Sequence, residues 1–217
     1  MPTGRNVVEQ AFVPRTSASV GSATGGYSPD ETRRALLQSA LTLFGTKGYA
    51  STSVQELVEA AGVTKGAFYH HFESKEDLLR LIHDEFVDDQ LTELERILQE
   101  YADPAEQLAQ LLLAFILSVE QYSDNVTIFY QERRFLTGDR FSAVKEKRDR
   151  FEQLFLGVLE RGMELGVFRA DIDPRTAGLA ILGMCAWTNQ WYRRDGGYTA
   201  QDIAEQLSAL ALNGLRA

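Results

Sequence analysis

The sequence contains one cysteine, five prolines, three histidines and no uninterrupted apolar run long enough to cross a bilayer. A lone cysteine, Cys185, excludes an intramolecular disulfide, and its place in an apolar run reads as a buried, inert thiol suited to a reducing cytoplasm. The longest apolar stretches, such as Leu111 to Leu117, fall far short of the roughly 20 residues of a membrane helix, and no secretory apolar region stands near the N-terminus. His70 and His71 are adjacent and point apart on a helix, while His83 lies in another segment, so no metal triad emerges. Gly-rich phosphate loops, nucleophile elbows and the HExxH spacing are all missing. Glu132 beside Arg133, and Asp171 near Asp173, are the best acid/base candidates, and both read more simply as solvated charges on amphipathic helices. Catalysis, a metal and a cofactor are not expected.

Basic charge is also in short supply, with 22 Lys and Arg against 31 Asp and Glu and a net charge of −9. Non-specific DNA affinity comes from cations that displace counterions, so this total argues against nucleic acid. Between Asp30 and Asp77 five basic residues (Arg33, Arg34, Lys47, Lys65, Lys75) face seven acidic ones, a local net of −2. Any DNA affinity must therefore come from where the charges sit.

The first 27 residues, rich in Ser, Gly, Thr and Ala, lack apolar periodicity and read as a flexible arm, in which Arg5 and Arg15 are the candidate DNA contacts. From Ser28 onward the punctuation is helical, and no strand signal competes. Ser28-Pro29-Asp30-Glu31 sets a hydroxyl at the N-cap, proline at N1 and a carboxylate at N3. Thr52 with Gln55, Ser74 with Asp77, Asp103-Pro104, Asp173-Pro174 and Thr199 with Asp202 repeat the start signal, and Gly48, Gly62, Gly138, Gly166 and Gly196-Gly197 mark stops. The pattern predicts an all-α chain of about nine helices, near 29–47, 53–61, 64–71, 75–101, 104–122, 125–136, 139–165, 174–193 and 200–214. The three helices before Ser74 are short or medium and the later ones mostly long. The division expected is an arm (1–27), a small helix-turn-helix unit (28–74) and a larger bundle (75–217).

Within Thr52 to Phe72, Val54, Leu57 and Val58 supply one apolar face, Gly62 allows a sharp turn, and Val63, Ala67, Phe68 and Phe72 supply the next. Two short helices packed in this way leave the opposite face of the second free to enter a major groove about 12 Å wide. That face carries Thr64, Lys65, Gly66, Tyr69 and His70. Lys65 suits a guanine edge or phosphate, Gly66 a close backbone approach and Tyr69 a phosphate oxygen. Thr52 and Ser53 at the start of the preceding helix, and Lys75 at the first turn of the next, are candidate phosphate contacts.

The stretch from about Glu31 to Leu79 closely resembles the TetR family of bacterial one-component repressors. The resemblance rests on Ala40-Leu-Thr-Leu-Phe-Gly-Thr-Lys-Gly-Tyr, Thr52-Ser-Val, Ala61-Gly-Val-Thr-Lys-Gly, Phe68-Tyr-His-His-Phe and Ser74-Lys-Glu-Asp-Leu-Leu. It implies a recognition helix over Thr64 to His71, with Lys65, Gly66, Tyr69 and His70 toward DNA and Thr52, Ser53, Gln55 and Lys75 as flanking contacts. It also implies a homodimer on a palindromic operator, which sets two basic faces on DNA despite the acidic total.

Beyond Leu79 the fifth helix is apolar nearly all round, which places it mid-bundle. Leu112, Phe115, Phe129, Tyr130, Arg133, Phe151, Phe155, Met184, Trp187 and Trp191 are the candidate lining of an effector pocket, with a solid aromatic core as the plainer reading. The last two helices carry apolar residues on more than one face; by the family's habit they form the dimer, here through Leu179, Leu182, Ala186, Ile203, Leu207 and Leu210. Phe129-Tyr-Gln-Glu-Arg-Arg, Gly166-Val-Phe-Arg, Asp173-Pro, and Trp187-Thr-Asn-Gln-Trp-Tyr followed by Gly196-Gly resemble a TetR subgroup of lipid and sterol degradation whose effectors are acyl-CoA thioesters. Such a ligand needs an apolar slot and cations for its phosphates, for which Arg133, Arg134, Arg193 and Arg194 are candidates. A multidrug or other small-molecule sensor, and a helical interaction module without DNA binding, are the alternatives.

Overall fold

The computed structural model describes residues 28–216 of the 217-residue chain, so the N-terminal arm and its Arg5 and Arg15 lie outside the described residues. Among the described residues the protein is all-α, with helices α1 (Pro29–Lys47), α2 (Val54–Ala61), α3 (Lys65–His71), α4 (Lys75–Glu100), α5 (Pro104–Gln121), α6 (Ser123–Glu132), α7 (Gly138–Glu164), α8 (Pro174–Trp191) and α9 (Ala200–Leu215). A single 3₁₀ turn, Arg133–Phe135, follows α6 directly. Among the described residues the only extended pairing is an isolated antiparallel bridge between Phe168 and Arg216.

The helix starts follow from local chemistry. Ser28, Ser53 and Thr199 each form a reciprocal capping box with the carboxylate three residues on, and Pro29, Pro104 and Pro174 occupy first-turn positions where a missing amide hydrogen costs nothing. Each such cap contributes about 1 kcal/mol. The sixth helix is shorter than its periodicity suggests, because the chain tightens into the 3₁₀ turn after Glu132.

Two apolar cores organise the molecule. The first gathers Leu36, Phe44, Leu57, Phe68 and Phe72 of α1–α3 with Leu78, Leu79, Ile82 and Phe86 of α4 and Val126, Ile128 and Phe129 of α6. The second holds the far end of α4 (Leu94, Ile97) with α5, the C-terminal part of α7, α8 and α9. Helix α4 runs through both, with no Gly or Pro to bend it. The first core continues past residue 74 into α6, so the reading helices are packed on the bundle rather than tethered to it.

Candidate DNA interface and effector cavity

Helix α2 ends at Gly62, whose left-handed backbone (φ 68°, ψ 29°) turns the chain while Val63 N–H donates to the Val58 carbonyl at 2.9 Å. Thr64 then caps α3, its hydroxyl accepting from Ala67 N–H at 3.1 Å. Phe68 is wholly buried and Phe72 nearly so, and this pins one face of α3. The opposite face exposes Thr64, Lys65, Gly66, Tyr69 and His70, the five residues expected there from sequence, with Tyr69 58% exposed. A methyl group built on Gly66 meets only the Thr64 hydroxyl oxygen, at 3.7 Å, so nothing in the fold itself asks for glycine at this position.

Helix α3 carries no carboxylate, and nearby acids are engaged elsewhere. Glu56 pairs with Lys47 and accepts from Ser53 N–H at 2.8 Å; the Lys47 contact first, then the cap, hold its carboxyl down at about 2. Asp77 accepts from the Glu73 and Ser74 amides at 2.9 and 3.0 Å and from Arg140 at 2.6 Å, and Glu76 accepts from Thr137 N–H at 2.7 Å. The local acidic excess is thus turned toward the protein's own amides and cations. Ser53 and Gln55 are exposed on α2, Gln55 donating to Glu59 at 2.5 Å.

Two expected contacts have other roles. Thr52 is buried, its hydroxyl donating to the Gly48 carbonyl at 2.8 Å, so its side chain is not available to a phosphate. Lys75 turns inward: its ammonium donates to the carbonyls of Tyr49 and Thr52, both at 2.7 Å, and stands 4.2 Å from the centre of the Tyr49 ring. The α1–α2 loop leaves carbonyls without helical partners, and a cation within reach is drawn to them. The Glu73 and Ser74 amides are likewise already capped by Asp77. On the other side of the loop, buried Glu132 at the end of α6 accepts from Tyr49 N–H at 3.1 Å. Glu132 was legible in sequence only as a surface charge; here it joins the bundle to the reading unit.

A cavity of about 880 Å³ opens between α4, α5, α6, α7 and α8. Phe115, Phe129, Tyr130, Arg133 and Phe151, all expected from sequence, line it. Leu112 and Phe155 do not: they are fully buried in the second core between α5 and α7. Met184 packs against that same core, and Trp187 and Trp191 point away from the cavity, 65% and 47% exposed. The cavity's α8 wall is formed instead by Leu179, Leu182, Gly183 and Ala186, three of which were expected at the dimer contact. The sequence reading also missed Phe86 and Val87 of α4, and Phe141, Lys145 and Arg148 of α7. The α7 set recurs at helical spacing, yet its mixture of ring and cation resembles an ordinary amphipathic surface.

The cations on the wall are unevenly matched. Lys145 pairs with Asp149 on its own helix. Among the described residues Arg133, Arg134 and Arg148 have no carboxylate within 4.0 Å and lie instead over the rings of Tyr130, Phe135 and Phe129, at 5.7, 5.0 and 5.4 Å. Arg193 and Arg194 lie outside the cavity and donate to the carbonyls of Tyr192 and Glu120.

Helix α8 turns one stripe (Ala177, Ile181, Cys185, Thr188) into the core, one to the cavity and one outward with Ala180, Trp187 and Trp191. In α9, Ile203 is buried beneath α5 and unavailable to another chain, Leu207 is half-buried, and Leu210 is 63% exposed. Cys185 is a buried thiol whose burial pushes its pKa up to about 12. No helix of the described residues is long and apolar enough to cross a membrane.

Two short helices across a left-handed turn, fastened to a helical bundle with a cavity, define a helix-turn-helix regulator. Residues 36–82 match the family described as bacterial regulatory proteins, tetR family, and residues 101–215 match the tetracyclin repressor-like C-terminal domain. The HTH-type transcriptional repressor KstR2 of Rhodococcus jostii (strain RHA1) is 34% identical over 185 residues, covering 84% of this chain and 90% of that one. The structure of the ketosteroid transcriptional regulator KstR2 of Mycobacterium tuberculosis superposes with a TM-score of 0.77 at 30% identity, over 85% of this chain and 95% of that one. AibR, solved in complex with isovaleryl coenzyme A and operator DNA, gives 0.73 at 30% identity, over 82% and 97%. The chain belongs to the TetR family of transcriptional regulators.

Proposed function

We propose that the protein is a cytoplasmic, homodimeric repressor that reads a palindromic operator with the exposed face of α3 and is released by an acyl-CoA thioester of lipid or sterol catabolism. The observation that carries the effector is the cavity itself: about 880 Å³, walled by aromatic and aliphatic side chains, with three arginines that have no carboxylate partner among the described residues. Its volume suits a drug-sized or cofactor-sized ligand. An acyl chain fits the apolar wall, and phosphates supply the anions that Arg133, Arg134 and Arg148 lack. The likeness to KstR2 and to the isovaleryl-CoA complex of AibR supports the same reading.

On DNA, Lys65 and Tyr69 meet base edges and phosphates, Gly66 lets the backbone come close, and Ser53 and Gln55 flank them. Release follows from the Glu132 contact. A ligand that presses on Phe129, Tyr130 or Arg133 displaces the end of α6, and Glu132 carries that displacement to the Tyr49 amide and the loop that starts α2. The division into a reading unit, 28–74, and a ligand and dimer unit, 75–217, is then functional, while the packing between them is continuous.

Thermal melts against a panel of acyl-CoA thioesters test the effector. A ligand at 100 times its dissociation constant adds about 2.7 kcal/mol of stability, and that same ligand is expected to dissociate the operator complex. Upward shifts from hydrophobic cations and none from any thioester would replace this reading with that of a multidrug sensor.

A further inference from the structure

Folded proteins rarely leave a buried polar side chain without a partner. His83 is such a case. It is 0% exposed on α4, and among the described residues neither Nδ1 nor Nε2 has a hydrogen-bond partner. Asp84 does not serve: its Oδ1 stands 3.7 Å from Nδ1, and its carboxylate is engaged by Arg80 and by Lys147 at 3.2 Å. A histidine kept only to fill space would be replaceable by leucine or phenylalanine, which carry no polar atoms to bury.

Its neighbours connect it to the cavity. Phe86 and Val87, three and four residues on, share its face of α4 and line the cavity. The Phe129 ring, also a lining residue, lies 4.2 Å from the imidazole, and the Phe86 ring stands edge-on at 5.1 Å. Arg148 covers the same Phe129 ring at 5.4 Å. The Phe129 ring thus contacts both His83 and the cavity.

We propose that His83 is a specificity-determining contact for a hydroxyl or keto oxygen carried on the buried end of the effector, reached when the Phe129 ring turns aside. This deepens the reading of the cavity as an effector site and rests on it. Burial, and after it the nearby cations Arg148 and Lys147, oppose protonation and outweigh Asp84, so the imidazole offers one donor and one acceptor. That pair suits a neutral oxygen. A carboxylate would have to be stripped of water among Phe86, Val87 and Phe129.

The test uses the full chain with ω-hydroxyacyl-CoA thioesters, from octanoyl to dodecanoyl, against the unsubstituted thioesters of equal length. The hydroxylated ligand that reaches His83 is expected to bind at least about tenfold more tightly than its unsubstituted match. His83→Leu should abolish that difference and leave the unsubstituted affinity unchanged. With only three histidines in the chain, two of them on α3, the buried imidazole can be followed by 15N spectroscopy in the unaltered protein, which decides the matter even if the variant does not fold. Its signal should move with the hydroxylated ligand and stay put with the other. Binding of both ligand types without discrimination and with an unmoved signal, or equal discrimination in His83→Leu, overturns the role of His83 alone. Failure of every thioester to bind overturns the acyl-CoA reading and this proposal with it.

Discussion

Lys65 and Lys75 stand ten residues apart and look alike in sequence, yet the fold uses them oppositely. Lys65 is exposed on a face without carboxylates, whereas Lys75 fastens the α1–α2 loop to α4 through two carbonyls. Replacing Lys75 with alanine is expected to cost about 1–3 kcal/mol in urea denaturation, because it removes charge-assisted hydrogen bonds to partly buried carbonyls. His83 gives a pH signature. Desolvation lowers its pKa in the folded state below the ordinary 6.5, so the unfolded chain takes up the proton first. Its contribution to stability is complete above about 6.5 and declines as pH falls from there toward the folded pKa. Denaturation between pH 7 and 5 should show that decline, and His83→Leu should flatten it. Neither role was readable in the sequence. Periodicity shows which residues share a face; it does not show that loop carbonyls or a phenylalanine ring wait opposite.

At the scale of elements, boundaries were legible wherever a cap was: the start of each helix with a hydroxyl or carboxylate N-cap falls within a residue of its expected position, although α2 is capped by Ser53 with Glu56 and not by the expected Thr52 with Gln55. The faces of α8 were not legible. Its three stripes are all rich in apolar residues, and only the placement of α5, α6 and α7 around it decides that Leu182 and Ala186 meet the cavity while Trp187 and Trp191 face out. Packing at the α7 terminus yields a sharper expectation. A methyl on Gly162 would stand 2.1 Å from the Phe168 ring, a rigid and wholly buried group, whereas on Gly178 it meets the tip of Leu156 at 2.3 Å, a side chain able to turn. Gly162→Ala should therefore cost about 3 kcal/mol and Gly178→Ala clearly less, as read by thermal melts of the two variants.

For the whole molecule, the acidic total and a DNA-binding role are reconciled by position: acids near α3 cap amides or pair with Lys47 and Arg140, and α3 itself carries Lys65 and no carboxylate. The proposed dimer would complete that argument, since two such faces must be held in register. Trp187 and Trp191 of α8 and Leu210 of α9 are exposed apolar side chains that such a dimer would cover. Sedimentation is expected to show a dimer for the parent chain and a helical monomer for Trp187→Glu. The central claim is tested most directly by selecting binding sites from a random duplex library with the parent chain and with a Lys65→Ala, Tyr69→Ala variant. The account predicts that the parent enriches one palindromic sequence and the variant, with its melting temperature unchanged, enriches none. Failure of the parent to enrich any sequence, or enrichment of the same palindrome by the variant, would contradict it.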